Sequence, residues 1–141
     1  LVGMPDLSLE WLFARLLAPV AWLLGIDWAE AGKVGVLLGK KTILNEFIAY
    51  TDMKVFLDNA KAVAAGTAAD GSLPVLSERA VVLSTYALCG FANIGSIGIQ
   101  IGGTGPLTNG RSSDLARLGV RALVAGALTN FVNACIAGLL L

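Results

Sequence analysis

The sequence predicts an all-α membrane protein, and three observations carry that prediction. Of its 141 residues 56% are hydrophobic and 14% charged, with a mean hydropathy of +0.76, far from the balance of a soluble domain. No charged residue occurs between Arg79 and Arg111, and none from Ala122 to Leu141. Each of these stretches is long enough for a helix to cross roughly 30 Å of hydrocarbon. The same counts exclude other classes. Ten basic side chains balance ten acidic ones, so there is no basic excess to follow a nucleic-acid backbone and no nucleic acid is expected as a partner. With no His and two Cys, the soft or imidazole ligands of a metal site are missing, so no metal and no cofactor are expected.

The first element expected is an amphipathic helix over 9–25. Leu12, Phe13, Leu16, Leu17, Val20, Leu23 and Leu24 recur at helical spacing while Glu10 and Arg15 lie off that stripe. Trp11, Trp22 and Trp28 suit the headgroup level and Pro19 bends the segment, so it is read as lying in the membrane interface, with a buried bundle helix as the alternative.

A re-entrant helical hairpin is expected over 28–57. Asp27 and Glu30 have the spacing of a capped helix start. That helix is expected to reach about Gly39, a turn to occupy 40–44, and a second short helix to run from Asn45 to about Leu57. Helices of a dozen residues cannot cross a bilayer, so the pair would enter and return, with its turn at membrane depth. An ordinary surface turn marked by the solvated pair Lys40 and Lys41 is the competing reading. Residues 58–77, rich in Ala and Gly with mixed charge, read as an aqueous linker ending at a Ser77 helix cap.

The first transmembrane helix is expected over 78–103. Gly90, Gly95 and Gly98 fall within nine residues, which predicts local unwinding inside it. Gly102-Gly103-Thr104-Gly105-Pro106 ends it, a loop carrying Arg111, Asp114, Arg117 and Arg121 follows, and the second transmembrane helix is expected over 114–141. Basic residues before the first span match those after it, so charge alone leaves the orientation tied. The chain begins at Leu and ends in three leucines, and a piece of a longer protein is expected.

Two places carry candidate chemistry. Glu46 is an acid in an apolar to neutral stretch beside the hairpin turn, where an ionisable group is costly enough to suggest function. Its carboxylate can accept hydrogens from a vicinal diol; equally, it could serve to neutralise Lys40 or Lys41. Asn93 and Ser96 share a helix face and offer an amide and a hydroxyl to an uncharged polar ligand, with Phe91 as an apolar wall. Helix packing competes, because Gly98-x-x-x-Gly102 is a small-residue contact pattern. Asn130 and Asn133 are expected to bond a neighbouring helix, and Cys89 and Cys135 to be small buried groups. No nucleophile is paired with a base and no phosphate-binding loop is present, so the chain is not expected to be an enzyme.

The strings Leu44-Asn45-Glu46-Phe47-Ile48-Ala49-Tyr50, Thr85 to Gln100 with Gly90-Phe91-Ala92-Asn93 at its centre, and Arg111 to Gly119 closely resemble the C-terminal region of concentrative nucleoside transporters, in order and in spacing, from about Trp11 onward. The resemblance implies a secondary active symporter that imports nucleosides by alternating access, coupled to sodium or protons. It implies a homotrimer in a lipid bilayer, here the bacterial inner (plasma) membrane. By resemblance Glu46, Asn93 and Ser96 bind the ribose and Phe91 lies beside the sugar. The residues that read the base and the ligands of the coupling ion belong to a first hairpin and its following helix, in the remainder of the transporter. The loop over 102–114 would face the cytoplasm and the C-terminus the outside. The alternative kept beside this is a membrane-embedded interaction or assembly subunit without a ligand site, whose polar residues join helices.

Overall fold

The computed structural model describes residues 8–68, 73–108 and 110–141. Among them the chain forms α1 (Leu9–Leu23), α2 (Trp28–Ile43), α3 (Glu46–Ala64), α4 (Glu78–Leu88), α5 (Ile94–Thr104) and α6 (Ser112–Leu140), with a 3-10 turn at Gly105–Thr108 and no strand. The all-α class is therefore as expected. Several boundaries differ, each for a physical reason.

Helix α1 starts at a Ser8 cap whose hydroxyl accepts from Trp11 N at 3.1 Å. The chain then turns by 115° into α2, where Trp22 and Trp28 meet edge to face with ring centres 6.4 Å apart. α1 runs back along α2, so that Glu10 near its start comes within 3.4 Å of Lys40 near the end of α2. Two glycines make this close approach possible. A Cβ on Gly35 would lie 2.9 Å from Ala18 N, and one on Gly39 would lie 2.2 Å from Phe13 Cγ. Gly35-x-x-x-Gly39 is thus the small-residue seam of the fold. Gly98 and Gly102, which the sequence offered for that task, have nothing of the described chain within 4 Å of an added Cβ.

The expected turn over 40–44 shrinks to Leu44 and Asn45, because α2 stays helical through Ile43. Lys40 and Lys41 occupy its last turn, where cations suit the negative end of the helix dipole. The second arm of the hairpin continues to Ala64, past the expected end at Leu57. Lys54 pairs with Asp58 one turn on, and Lys61 adds a weaker contact at 3.8 Å, a pattern that extends a helix. Residues 58–64 are therefore helix and not linker, while 69–72 of the expected linker lie outside the described residues. At 19 residues α3 spans about 28 Å, so length alone does not force a re-entrant course. Its charges, Glu46, Asp52, Lys54, Asp58 and Lys61, are what argue against a simple span.

α2 and α4 lie side by side and point the same way, tied at their starts by Glu30, which accepts from Ser77 N and Oγ at 2.6 Å each. Ser77 caps α4 as expected, accepting from Ala80 N. The expected span over 78–103 is broken into α4 and α5, of 11 residues each. The expected unwinding is present, and α5 continues to Thr104 before the 3-10 turn holding Pro106.

α6 runs antiparallel past both halves. It uses a stripe of small residues: Gly138 beside Leu83 and Arg79, Asn130 on Gly90, Gly126 beside Ala92 and Gly119 on Ile97. It is the helix among the described residues that is long and apolar enough to cross a membrane by itself. Its opposite side exposes Val120, Val124, Leu128, Val132 and Ile136 in a row. The hydrophobic core gathers Ala21, Val34, Leu37, Leu38, Leu83 and Ala87 between α1, α2 and α4. At the end where the two chain breaks meet, buried polar residues take over: Lys41, Ser84, Asn93 and Ser96.

Candidate functional site

Two helix starts converge there. Asn45, in extended backbone, caps α3 by accepting from Ile48 N at 3.0 Å. That places Glu46 on the first turn, where the helix dipole favours a negative charge. Asn93, also extended, caps α5 by accepting from Ser96 N at 2.8 Å. The two caps bring together residues 47 apart in sequence: Asn93 Nδ2 donates to Glu46 Oε2 at 3.2 Å. Asn93 is 2% exposed, so its amide has a fixed aim, whereas Glu46 is half-buried.

Ser96 completes a reciprocal capping box. Its hydroxyl donates to Asn93 O at 2.6 Å and accepts from Asn93 N at 3.4 Å. Its O–H and one of its two acceptor positions are therefore engaged within the box, and the first effect of this side chain is to hold Asn93 in position. The cap could have been anticipated from an Asn followed three residues later by a Ser.

Phe91 is 53% exposed and lines an open cavity of about 570 Å³ between α5 and α6, together with Ser96, Gln100, Thr129 and Asn130. Glu46 and Asn93 do not line it. The four candidate residues thus fall into a contacting pair, Glu46 and Asn93, and a flank, Ser96 and Phe91, on the cavity side. The unwound segment between them is kept irregular by Gly90, with φ at +149°, a conformation that favours glycine. A Cβ there would lie 2.3 Å from Asn130 Nδ2, so α6 presses directly on the break. Asn130 acts by this contact and not by a hydrogen bond among the described residues, and Asn133 is exposed.

Other expectations are corrected by the packing. Cys89 and Cys135 are exposed and not buried, since Cys89 caps the broken end of α4 and Cys135 sits one position round from the buried Ala134. Lys41, solvated in the competing surface-turn reading, is 1% exposed. Lys40 is the solvent-side lysine, 2.6 Å from Asp52. Tyr50, which the sequence reading did not single out, donates from its hydroxyl to Thr85 O at 2.8 Å. It thereby ties the second arm of the hairpin to a carbonyl in the last turn of α4. Among the described residues no cluster of His, Cys, Asp or Glu could hold a metal ion.

The chain as a whole is similar to known proteins. The chain is 42% identical over 136 residues to solute carrier family 28 member 3 of Eptatretus stoutii, covering 96% of this chain and 20% of that protein. It is 40% identical over 136 residues to the putative nucleoside permease NupX of Escherichia coli, covering 96% of this chain and 30% of that protein. It superposes on the structure of CNTnw in an inward-facing substrate-bound state with a TM-score of 0.82 and 39% identity, over 97% of this chain and 30% of that one. The chain therefore spans less than a third of the length of these relatives. The model of the family described as Na+ dependent nucleoside transporter C-terminus matches residues 1–138, and the chain belongs to that family.

Proposed function

We propose that this chain is the sugar-binding C-terminal part of an ion-coupled secondary transporter that imports nucleosides by alternating access, working with the remainder of that transporter. The observation that carries the reading is the 3.2 Å contact between Asn93 Nδ2 and Glu46 Oε2, which joins two helix starts at two breaks. A carboxylate and an amide held at helix N-termini form a polar pair in an apolar molecule, suited to the hydroxyls of a ribose. Glu46 accepts from the sugar, Asn93 orients that carboxylate and offers its remaining amide hydrogen, Ser96 fixes Asn93, and Phe91 flanks the sugar. Relatives are named as a putative nucleoside permease and as a sodium/nucleoside cotransporter, and the chain is an integral membrane protein on the same ground. Sodium is the proposed coupling ion, in keeping with the family description, with its ligands outside this segment.

The finer placements are part of the same proposal: α1 in the interface, with its Trp11 and Trp22 exposed at 41% and 55% and Trp28 at the start of α2 at 60%; α2 and α3 as a re-entrant hairpin; the 102–114 loop in the cytoplasm; and a homotrimer in the bacterial inner membrane. Support for these comes from the resemblance and from the exposed apolar row on α6. The alternative, an assembly subunit without a ligand site, draws on the same contact, since the hydrogen bond from Asn93 to Glu46 also joins two helix starts, and nucleoside binding separates the two readings.

Equilibrium binding to the complete transporter tests the proposal. Glu46→Gln should weaken nucleoside affinity by about tenfold to a hundredfold, the value of roughly 1.5 to 3 kcal/mol for a charge-assisted hydrogen bond. Unchanged affinity would overturn it.

A further inference from the structure

Among the described residues two hydrogen bonds join α3 to the span formed by α4 and α5. Asn93 Nδ2 donates to Glu46 Oε2 at 3.2 Å, and the Tyr50 hydroxyl donates to Thr85 O at 2.8 Å. Glu46 and Tyr50 are four positions apart and so lie on one face of α3. Their partners lie on opposite sides of the break, Thr85 in the last turn of α4 and Asn93 at the cap of α5. Thr85 O also accepts from Cys89 N at 3.1 Å, the bond that closes α4, and the second lone pair of the carbonyl takes the phenol. The two contacts are unequal. The bond to Glu46 stands at the long end of the normal range, and one bond alone lets α3 pivot about it. The shorter bond at Tyr50 removes that freedom, because its ring packs against the hydrophobic core and gives the hydroxyl a fixed aim. The pair Lys40 and Asp52 joins the two arms of the hairpin to each other and leaves their placement against the break to these two bonds.

We propose that Tyr50 is a positioning residue of the sugar site: its hydrogen bond to Thr85 O sets α3 against the break, so that the Glu46 carboxylate meets ligand hydroxyls in the orientation that Asn93 holds, without Tyr50 touching the ligand. This rests on the sugar-binding reading above. A carboxylate discriminates between a hydroxyl and its absence only while its oxygen stands within hydrogen-bond reach of the place the hydroxyl takes, and a bond stretched or bent from that geometry weakens steeply. Loss of the phenol hydrogen therefore lowers the gain from each ligand hydroxyl and leaves a ligand that lacks the hydroxyl little affected.

The test uses the complete transporter in lipid, with uridine and adenosine each compared against its 3′-deoxy analogue in equilibrium binding. Wild type should prefer the ribonucleoside by about tenfold or more, and Glu46→Gln should bring that preference to within about twofold. Tyr50→Phe keeps the ring that packs on the core and removes only the donor. It should narrow the preference about threefold, with affinity for the 3′-deoxy ligands within about twofold of wild type, and the double variant should lose no more preference than Glu46→Gln alone. Replacing Tyr50 by 4-aminophenylalanine, which keeps a donor at the far end of the ring, should retain the wild-type preference. If Glu46→Gln leaves the preference intact, the sugar-site reading itself fails. If Glu46→Gln abolishes it but Tyr50→Phe leaves it intact, the role of Tyr50 is overturned while the sugar site stands. Equal weakening of ribonucleoside and 3′-deoxy binding by Tyr50→Phe would also overturn that role, since general support of the fold acts on both ligands alike. A narrowed preference in the folded 4-aminophenylalanine variant would overturn it independently of Tyr50→Phe.

Discussion

The chain breaks twice near the site, and the two breaks are built differently. At Leu44 and Asn45 the backbone reverses within two residues, without glycine, and leaves Leu44 and Phe47 exposed. Between Leu88 and Ile94 it keeps its direction through five residues, uses Gly90 at positive φ, and buries Ala92 and Asn93, with Ser96 buried in the turn that follows. Both resume helix on an asparagine cap. The cap at Asn93 is returned by Ser96, whereas position 48, its counterpart after Asn45, is an isoleucine that can return nothing. The break inside the α4–α5 span is therefore the fixed platform of the site, and the hairpin tip is the exposed arm that delivers Glu46 to it.

The largest test of this contrast is Asn93→Ala in the complete transporter. It removes a cap and the donor to Glu46 together, and nucleoside affinity should fall by about tenfold to a hundredfold, measured by equilibrium binding. Gly90→Ala should cost about 1 to 3 kcal/mol of thermal stability. Adding Asn130→Ala should restore only part of this, because it makes room for the methyl group without relieving the backbone. Asn45→Ala should cost about 1 kcal/mol of stability and change affinity much less than Asn93→Ala does. Equal affinity losses at the two asparagines would erase the distinction between platform and arm. Gly98→Ala should stay within about 0.5 kcal/mol. A larger loss would show that the bare face at Gly98 and Gly102 is covered by another part of the transporter.

Those glycines also show where the sequence was readable and where it was not. Three glycines in nine residues correctly pointed to the break after Leu88, because a weakened helix is a local property. The small-residue spacing singled out in the sequence was Gly98–Gly102, while the same spacing at Gly35–Gly39 is the one that meets a neighbour, because which pair is used depends on where another helix runs, which is not local. The lysine pair at 40 and 41 failed for the same reason. Adjacent lysines look solvated together, yet one residue of helix turn sends Lys40 to Asp52 and Lys41 into the core. At the site, the chemical types of Glu46 and Asn93 and the resemblance suggested their partnership. The three-residue spacing of Asn93 and Ser96 fits a capping box as well as a shared helix face, and the start of α5 decides between them. Residues 58–64 are helix and not linker, since Ala and mixed charge describe an exposed helix as well as they describe a loop.

The contact between Gly90 and Asn130 has a consequence for synthesis. The irregular segment that presents Asn93 is braced by a side chain 40 positions later in the sequence. At roughly 5 to 20 residues per second, the ribosome adds that brace several seconds after Gly90. The break thus emerges into the membrane before the helix that supports it, with its polar groups waiting on a partner still being made. Any device that slows or stalls translation between these two positions would lengthen the time for which the unbraced break lies open to lipid and to the membrane's proteases.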